Sequence, residues 1–240
     1  DLVRSKVNLI VALTTTAARA ALSATKTIPV VFVSGDPVGT GLAESLAHPG
    51  GNATGVSTLS TELIPKRLEL LQQVAPHVRR VMLLGNPSST LQAGVLKEAR
   101  KAGEALRIQI VAVDASNVAE LDAALRGLQH RESDGFMVSS DVLFLGNRAK
   151  VAAAVARARL PGMFPWRDYH DAGVLISYGA NIKEMGRQAA AYVDKILKGA
   201  KPADLPIAQS SKYDLVIDLR VARKLGLEAS PSEVSRSRPR

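Results

Sequence analysis

An α/β fold of two lobes, each built on a parallel sheet, is what this 240-residue sequence predicts, and three observations predict it. Apolar residues make up 46% of the chain and aromatics only 4%, so the core is mostly Ala, Val and Leu. That composition suits parallel sheets covered by Ala-rich helices and suits an all-β sandwich poorly. Short apolar runs alternate with helical patterns along the chain, which implies parallel strands joined by right-handed crossovers. The alternation breaks at Pro76-His77 and starts afresh, which divides the chain into two lobes of roughly 100–150 residues each.

The elements follow in order. Val7–Leu13 reads as a buried strand, and Ala17–Ala24 as an Ala-rich helix. Ile28–Val33 is the next strand and Val38–Leu46 a short helix; Thr54–Val56 is a short strand and Glu62–Val74 a helix with apolar Leu63, Leu68, Leu71 and Val74. After the break come the strand Arg80–Leu84 and a helix capped by Ser88-Ser89 that reaches about Ala105. The strand Ile108–Val113, the helix Val118–Leu128 and the strand Gly135–Val138 continue the series. Arg148–Ala158 is helical, Pro161–Phe164 and Val174–Ser177 are strands, and Ile182–Leu197 is a long amphipathic helix closed by Gly199 and Pro202. Tyr213–Ile217 is a last strand and Arg220–Leu225 a last helix.

The formal charge is +9. Scattered Lys and Arg on a solvated surface account for it, in part through the tail Ser235-Arg236-Ser237-Arg238-Pro239-Arg240, which reads as disordered. Nucleic-acid binding calls for a basic stripe with interleaved aromatics, and the sequence has none. A basic face can also meet an acidic partner or an anionic membrane surface. Cysteine is absent, which excludes disulfide frameworks, thiolate zinc sites and Cys nucleophiles. No signal peptide is visible and no apolar run approaches the roughly 20 residues of a membrane span. Asp1–Lys6 reads as the last turn of a helix, so the start looks cut.

Polar residues gather after the strands. Thr14-Thr15, Ser34-Gly35-Asp36-Pro37, Asn86-Pro87-Ser88-Ser89, Ser139-Ser140-Asp141, Trp166-Arg167 and Tyr178-Gly179 each follow an apolar run. Ligands of open parallel sheets lie at the carboxyl ends of strands, where helix N-termini also point. Hydroxyls and amides orient a small polar ligand without chemistry. Asp36 or Asp141 can accept from an ammonium group, helix N-termini can hold a carboxylate, and Trp166 and Tyr178 can wall an apolar or aromatic part. Singly, each of these residues is also an ordinary helix cap.

Enzyme signatures are weak. His48, His77, His130 and His170 fall in turns or linkers, where solvated loops are expected, and none forms a His-x-x-x-His pair. Gly-x-Ser-x-Gly and Gly-x-x-x-x-Gly-Lys-Ser are absent. Ser34 after a strand invites a nucleophile reading, but no histidine is placed to serve it. Val38-Gly39-Thr40-Gly41 is part of a dinucleotide fingerprint without its third glycine.

Several segments carry a family likeness: Thr27–Val33 followed by Gly35-Asp36-Pro37-Val38-Gly39; Leu46–Ser57 with His48-Pro49-Gly50-Gly51-Asn52; Lys66-Arg67-Leu68-Glu69-Leu70-Leu71; Asn86-Pro87; Ser177-Tyr178-Gly179; Gly186-Arg187-Gln188; Lys198–Pro206; Leu215–Leu219; and Ala222–Leu227. In this order, over residues 1 to about 230, they resemble the ABC transporter substrate-binding protein family of the tryptophan/tyrosine type. The resemblance implies a type I periplasmic-binding-protein fold: two Rossmann-like lobes joined by three crossovers, with a small solute captured between them by hinge closure. It implies no cofactor and no catalytic residue, an ABC permease as partner, and a periplasmic or lipid-anchored extracytoplasmic location.

By the same resemblance the first lobe holds 1–77 and 181–203, the second 78–180 and 204–230, and 231–240 is tail. Thr14, Thr15, Ser34, Asp36 and Pro37 face the solute from the first lobe; Asn86, Ser88, Ser139, Ser140, Asp141 and Trp166 face it from the second, with Tyr178 near the hinge. The family begins with two further βα units before Val7–Leu13, so the first lobe is expected to be truncated, with an exposed sheet edge that favours pairing with a second copy. The rival readings are the ligand-sensing effector domain of a regulator and a flavodoxin-like or hydrolase enzyme.

Overall fold

The computed structural model describes residues 1–130 and 133–227; the expected disordered tail lies outside the described residues. In chain order the elements are β1 (Ile10–Ala12), α1 (Thr15–Ala24), β2 (Val30–Ser34), β3 (Ala53–Ser57), α2 (Ile64–Val74), β4 (Arg80–Gly85), α3 (Gln92–Leu106), β5 (Gln109–Asp114), α4 (Val118–Arg126), β6 (Gly135–Val138), α5 (Val142–Gly146), α6 (Arg148–Arg157), β7 (Gly162–Phe164), β8 (Ile176–Ala180), α7 (Ile182–Leu197), β9 (Ala208–Gln209), β10 (Tyr213–Ile217) and α8 (Leu219–Lys224). They form two compact units. Among the described residues, unit 1 comprises 1–61, 89–91 and 180–213, and unit 2 comprises 62–88, 92–179 and 214–227.

Unit 1 is a four-stranded sheet of order β1-β2-β3-β9 in which every neighbouring pair is parallel. Successive side chains of a strand point to opposite faces, so a strand buried on both faces reads as an unbroken apolar run. β2 is such a strand. Val30 and Phe32 pack with Ile10, Ala12, Ala18 and Leu42, whereas Val31 and Val33 pack with Val56, Met185, Ala189 and Ile196. The second set brings in α7, whose apolar residues recur at helical spacing and face β2 and β3. β1 pairs only with β2, on three residues, and lies at the sheet edge with Val11 exposed.

The helix expected over Val38–Leu46 does not form. Asp36 Oδ1 accepts from the Gly39 amide at 2.7 Å, and the amides of Leu42 and Ala43 both donate to the Pro37 carbonyl. Gly41 takes a left-handed φ of +70°. Local bonds to Asp and a left-handed glycine make turns here, against the weak helical pattern.

Unit 2 is a six-stranded sheet of order β10-β8-β7-β6-β4-β5, parallel from β8 through β5. One core runs from Met82 and Leu84 through Leu121, Phe136 and Phe144 to Val151 and Phe164. Ring centroids of Phe136 and Phe164 lie 5.9 Å apart, and those of Phe164 and Tyr169 5.0 Å.

The units divide at Thr61/Glu62 and not at 77, because α2 packs on α3 and β7. The later return falls at Tyr213/Asp214 and not at 203, because β9 pairs with β3 through Val56↔Ala208 and Ser57↔Gln209. α3 starts at Gln92; residues 87–91 are turns, so Ser88-Ser89 does not cap it. α5 was not expected from the sequence and is capped by Asp141, which accepts from the Leu143 amide at 2.8 Å. Among the described residues no helix is long and apolar enough to cross a membrane.

Gly55 marks the closest backbone approach in unit 1: a Cβ there would stand 2.0 Å from the Phe32 carbonyl oxygen. Gly55→Ala is expected to destabilise the chain by about 1–3 kcal/mol through overpacking, read as a lower urea midpoint with an unchanged slope.

Candidate functional site

Parallel strands end on the same edge of their sheet, so the residues that follow β1, β2 and β3 are neighbours in unit 1. Thr14 caps α1, its hydroxyl accepting from the Ala17 amide at 3.1 Å. Thr15 and Ser34 are both buried and share a hydrogen bond of 2.8 Å, which joins the ends of β1 and β2. Asp36 is turned into its own loop toward Gly39, and Pro37 is buried with its carbonyl engaged twice. The end of β3 adds residues that were not anticipated. The hydroxyls of Thr58 and Ser60 lie 2.7 Å apart, the Ser60 amide donates to the Gly35 carbonyl, and the buried Thr61 hydroxyl has no partner among the described residues. The run Ser57-Thr58-Leu59-Ser60-Thr61 after a strand carried the signal.

In unit 2 the ends of β4 and β6 meet. Asn86 Nδ2 donates to Asp141 Oδ2 at 3.1 Å, while Asn86 Oδ1 accepts from the Ser88 amide at 3.0 Å. Ser139 is buried at 4% exposure, Ser140 and Asp141 are half-buried, and Ser88 is exposed at the tip of its turn. Trp166 follows β7, half-buried, with its ring against the unit's core. Tyr178 does not follow a strand: it sits inside β8, buried.

A further residue joins this set. Arg67 of α2 is 1% exposed, and its Nε donates to the Tyr178 carbonyl at 2.8 Å and its Nη1 to the Ser140 hydroxyl at 3.3 Å. Burial lowers its pKa to about 10, and the phenols of Tyr178 and Tyr169 work against that shift; the guanidinium is still charged at neutral pH. The sequence did carry a signal for it, since Leu63, Arg67 and Leu71 are spaced i, i+4, i+8 along the apolar stripe of the helix.

Polar groups gather at the strand ends of each unit, and those of unit 2 include charges of both signs. The chain belongs to the ABC transporter substrate binding protein family, whose sequence model matches residues 1–237. It is similar to the curated tyrosine-binding protein of Clostridioides difficile, 26% identical over 94% of this chain and 65% of that protein, so it spans just under two thirds of that relative. Among solved structures it resembles a conserved domain protein from Vibrio cholerae, with TM-score 0.90 and 28% identity over 98% of this chain and 79% of that one. A domain from Streptococcus pneumoniae in complex with L-Trp shares the fold, with TM-score 0.86 and 24% identity over 95% of this chain and 78% of that one.

Among the described residues, no three His, Cys, Asp or Glu are grouped to hold a metal ion. His170 is not in a solvated loop as expected. It is half-buried in the short 3-10 turn after β7, with Nε2 2.9 Å from the Ser177 hydroxyl. Ser177 is itself fully buried in β8, so the pair ties the turn to the sheet and offers no accessible nucleophile.

Burial, first among the causes, lowers the His170 pKa below its ordinary 6.5; Asp218 acts in the opposite direction. The unfolded chain therefore binds this proton at higher pH than the folded one, and acidification through that window favours unfolding. Asp218, held at about 2 by its hydrogen bond from Arg220, contributes stability that is present above pH 3.8 and is lost as the pH falls from 3.8 to 2, outside that window. The urea midpoint is expected to fall between pH 7.5 and 5, and His170→Gln to flatten that decline.

Proposed function

We propose that this chain is the solute-binding component of a bacterial ABC importer and captures an amino acid, one with an aromatic side chain by preference. The observation that carries the reading is that in each unit hydroxyl, amide and carboxylate groups gather at the carboxyl ends of strands: Thr15, Ser34 and Asp36 in unit 1, and Asn86, Ser139, Ser140 and Asp141 in unit 2. Such groups orient a polar solute by hydrogen bonds and need no covalent step. Membership of a substrate-binding family supports it, and favours it over a regulator's effector domain. The aromatic preference rests on the relative named for tyrosine and on Trp166, whose half-buried ring offers an apolar wall beside the polar set. The protein is not an enzyme in this reading: His170 is spent on a buried serine, and Asp141 on an amide and a side chain. It works outside the cytoplasm and delivers its solute to a membrane permease.

A thermal-shift panel of the twenty amino acids tests the proposal, with L-tyrosine and L-tryptophan expected to raise the Tm most. A panel without any shift removes amino acids as the solute class. Asp141→Ala is expected to weaken L-tyrosine binding about tenfold or more, the scale of a lost hydrogen bond to a charged group. Calorimetry reads the affinity, and far-UV circular dichroism checks that loss of the α5 cap has not unfolded the chain. Unchanged affinity takes Asp141 out of the site.

A further inference from the structure

Arg67 is the one charged side chain in the buried set of the described residues. Buried charges are ordinarily paired, because leaving water costs far more than a few hydrogen bonds return. Arg67 makes no ion pair with a described residue, unlike surface cations such as Lys66 with Glu69, Lys150 with Asp122 and Arg187 with Glu184. Nε and Nη1 are engaged by a carbonyl and a hydroxyl, both neutral; Nη2 makes no hydrogen bond among the described residues and lies where a Cβ on Gly179 would come within 3.1 Å of it.

The hydroxyl matters most. Ser140 Oγ accepts from the guanidinium, so its own hydrogen is turned away from Arg67, and it finds no acceptor among the described residues. A hydroxyl that already accepts from a cation is a stronger donor for it. The next residue has the opposite character: Asp141 accepts through both oxygens, from Leu143 and Asn86. Unit 2 thus sets a donor backed by a buried cation next to an anionic acceptor.

We infer that Arg67 is a positioning residue for solute selection: it fixes the Ser140 hydroxyl as a donor to the carboxylate of an amino acid whose ammonium group faces Asp141. The inference rests on the amino-acid reading above and deepens it. An amine without a carboxylate satisfies Asp141 alone and leaves Ser140 and the buried charge unanswered. A zwitterion satisfies both.

Titration calorimetry of the full chain with L-tyrosine and with tyramine, the same molecule lacking the carboxylate, tests it. The unsubstituted chain is expected to bind L-tyrosine at least about 100-fold more tightly, since a site built for a polar group rejects the analogue without it. Ser140→Ala and Arg67→Gln should each narrow that ratio to about tenfold or less, and Arg67→Lys should preserve more of it than Arg67→Gln. A merely structural Arg67 would weaken both compounds alike and leave the ratio unchanged; that outcome overturns the inference. Should Arg67→Gln fail to fold, Ser140→Ala decides, because it removes one oxygen from a half-buried position. Equal binding of the two compounds by the unsubstituted chain overturns the inference alone, whereas binding of neither overturns the amino-acid reading with it.

Discussion

Parallel strand pairing is the constraint on which everything else in this molecule depends. It requires a covered face on each side of the sheet, so the strand interiors must be apolar throughout, as in Val30–Val33 of β2 and Val81–Leu84 of β4. Polar groups are thereby expelled from the sheet faces to the strand ends. Because the strands run the same way, their carboxyl ends share one edge, and residues distant in sequence become neighbours there. Thr15 reaches Ser34 in unit 1, and Asn86 reaches Asp141 in unit 2. The gathering of polar groups at the strand ends is a consequence of how the core is covered.

Much of that was legible in the sequence, for reasons that differ by element. β6, α7 and β10 begin and end where expected, since each is bounded by strong local signals. α7 starts at Asn181, whose side chain accepts from the Glu184 amide, and stops before Gly199 at φ +101°. The failures arise where the deciding partner is remote or the competing bond is local. Val38–Leu46 lost its helix to the side chain of Asp36 and the carbonyl of Pro37. Pro76-His77 is an obvious break in the sequence, whereas the packing of α2 on α3 leaves no mark in the residues of α2.

The site divides the same way. The placement of Thr14, Thr15, Ser34, Ser139, Ser140 and Asp141 at strand ends could be read because polar residues at the end of an apolar run have few other places to be. Arg67 is legible only in part: its spacing with Leu63 and Leu71 puts it on the apolar stripe of α2, but the Tyr178 carbonyl that meets its Nε lies 111 positions away and leaves no mark in the helix. Tyr178 draws attention by its ring, but the atom that Arg67 meets is its main-chain carbonyl, which sequence does not distinguish from that of any other residue.

Hydrogen-bond capacity then separates the two units chemically. In unit 1, Thr14 is used by a helix amide, Thr15 and Ser34 by each other, Thr58 and Ser60 likewise, and Asp36 by its own turn, so the group left without a partner among the described residues is the neutral hydroxyl of Thr61. In unit 2 the groups that face one another include a buried cation and a carboxylate. A charged end of a solute loses strong hydration on binding and recovers it only from a charged or charge-backed partner, whereas a neutral group is satisfied by a hydroxyl. The charged and charge-backed groups of unit 2 are therefore the ones that suit the ammonium and the carboxylate of the proposed amino-acid solute, whereas the neutral hydroxyls of unit 1 do not.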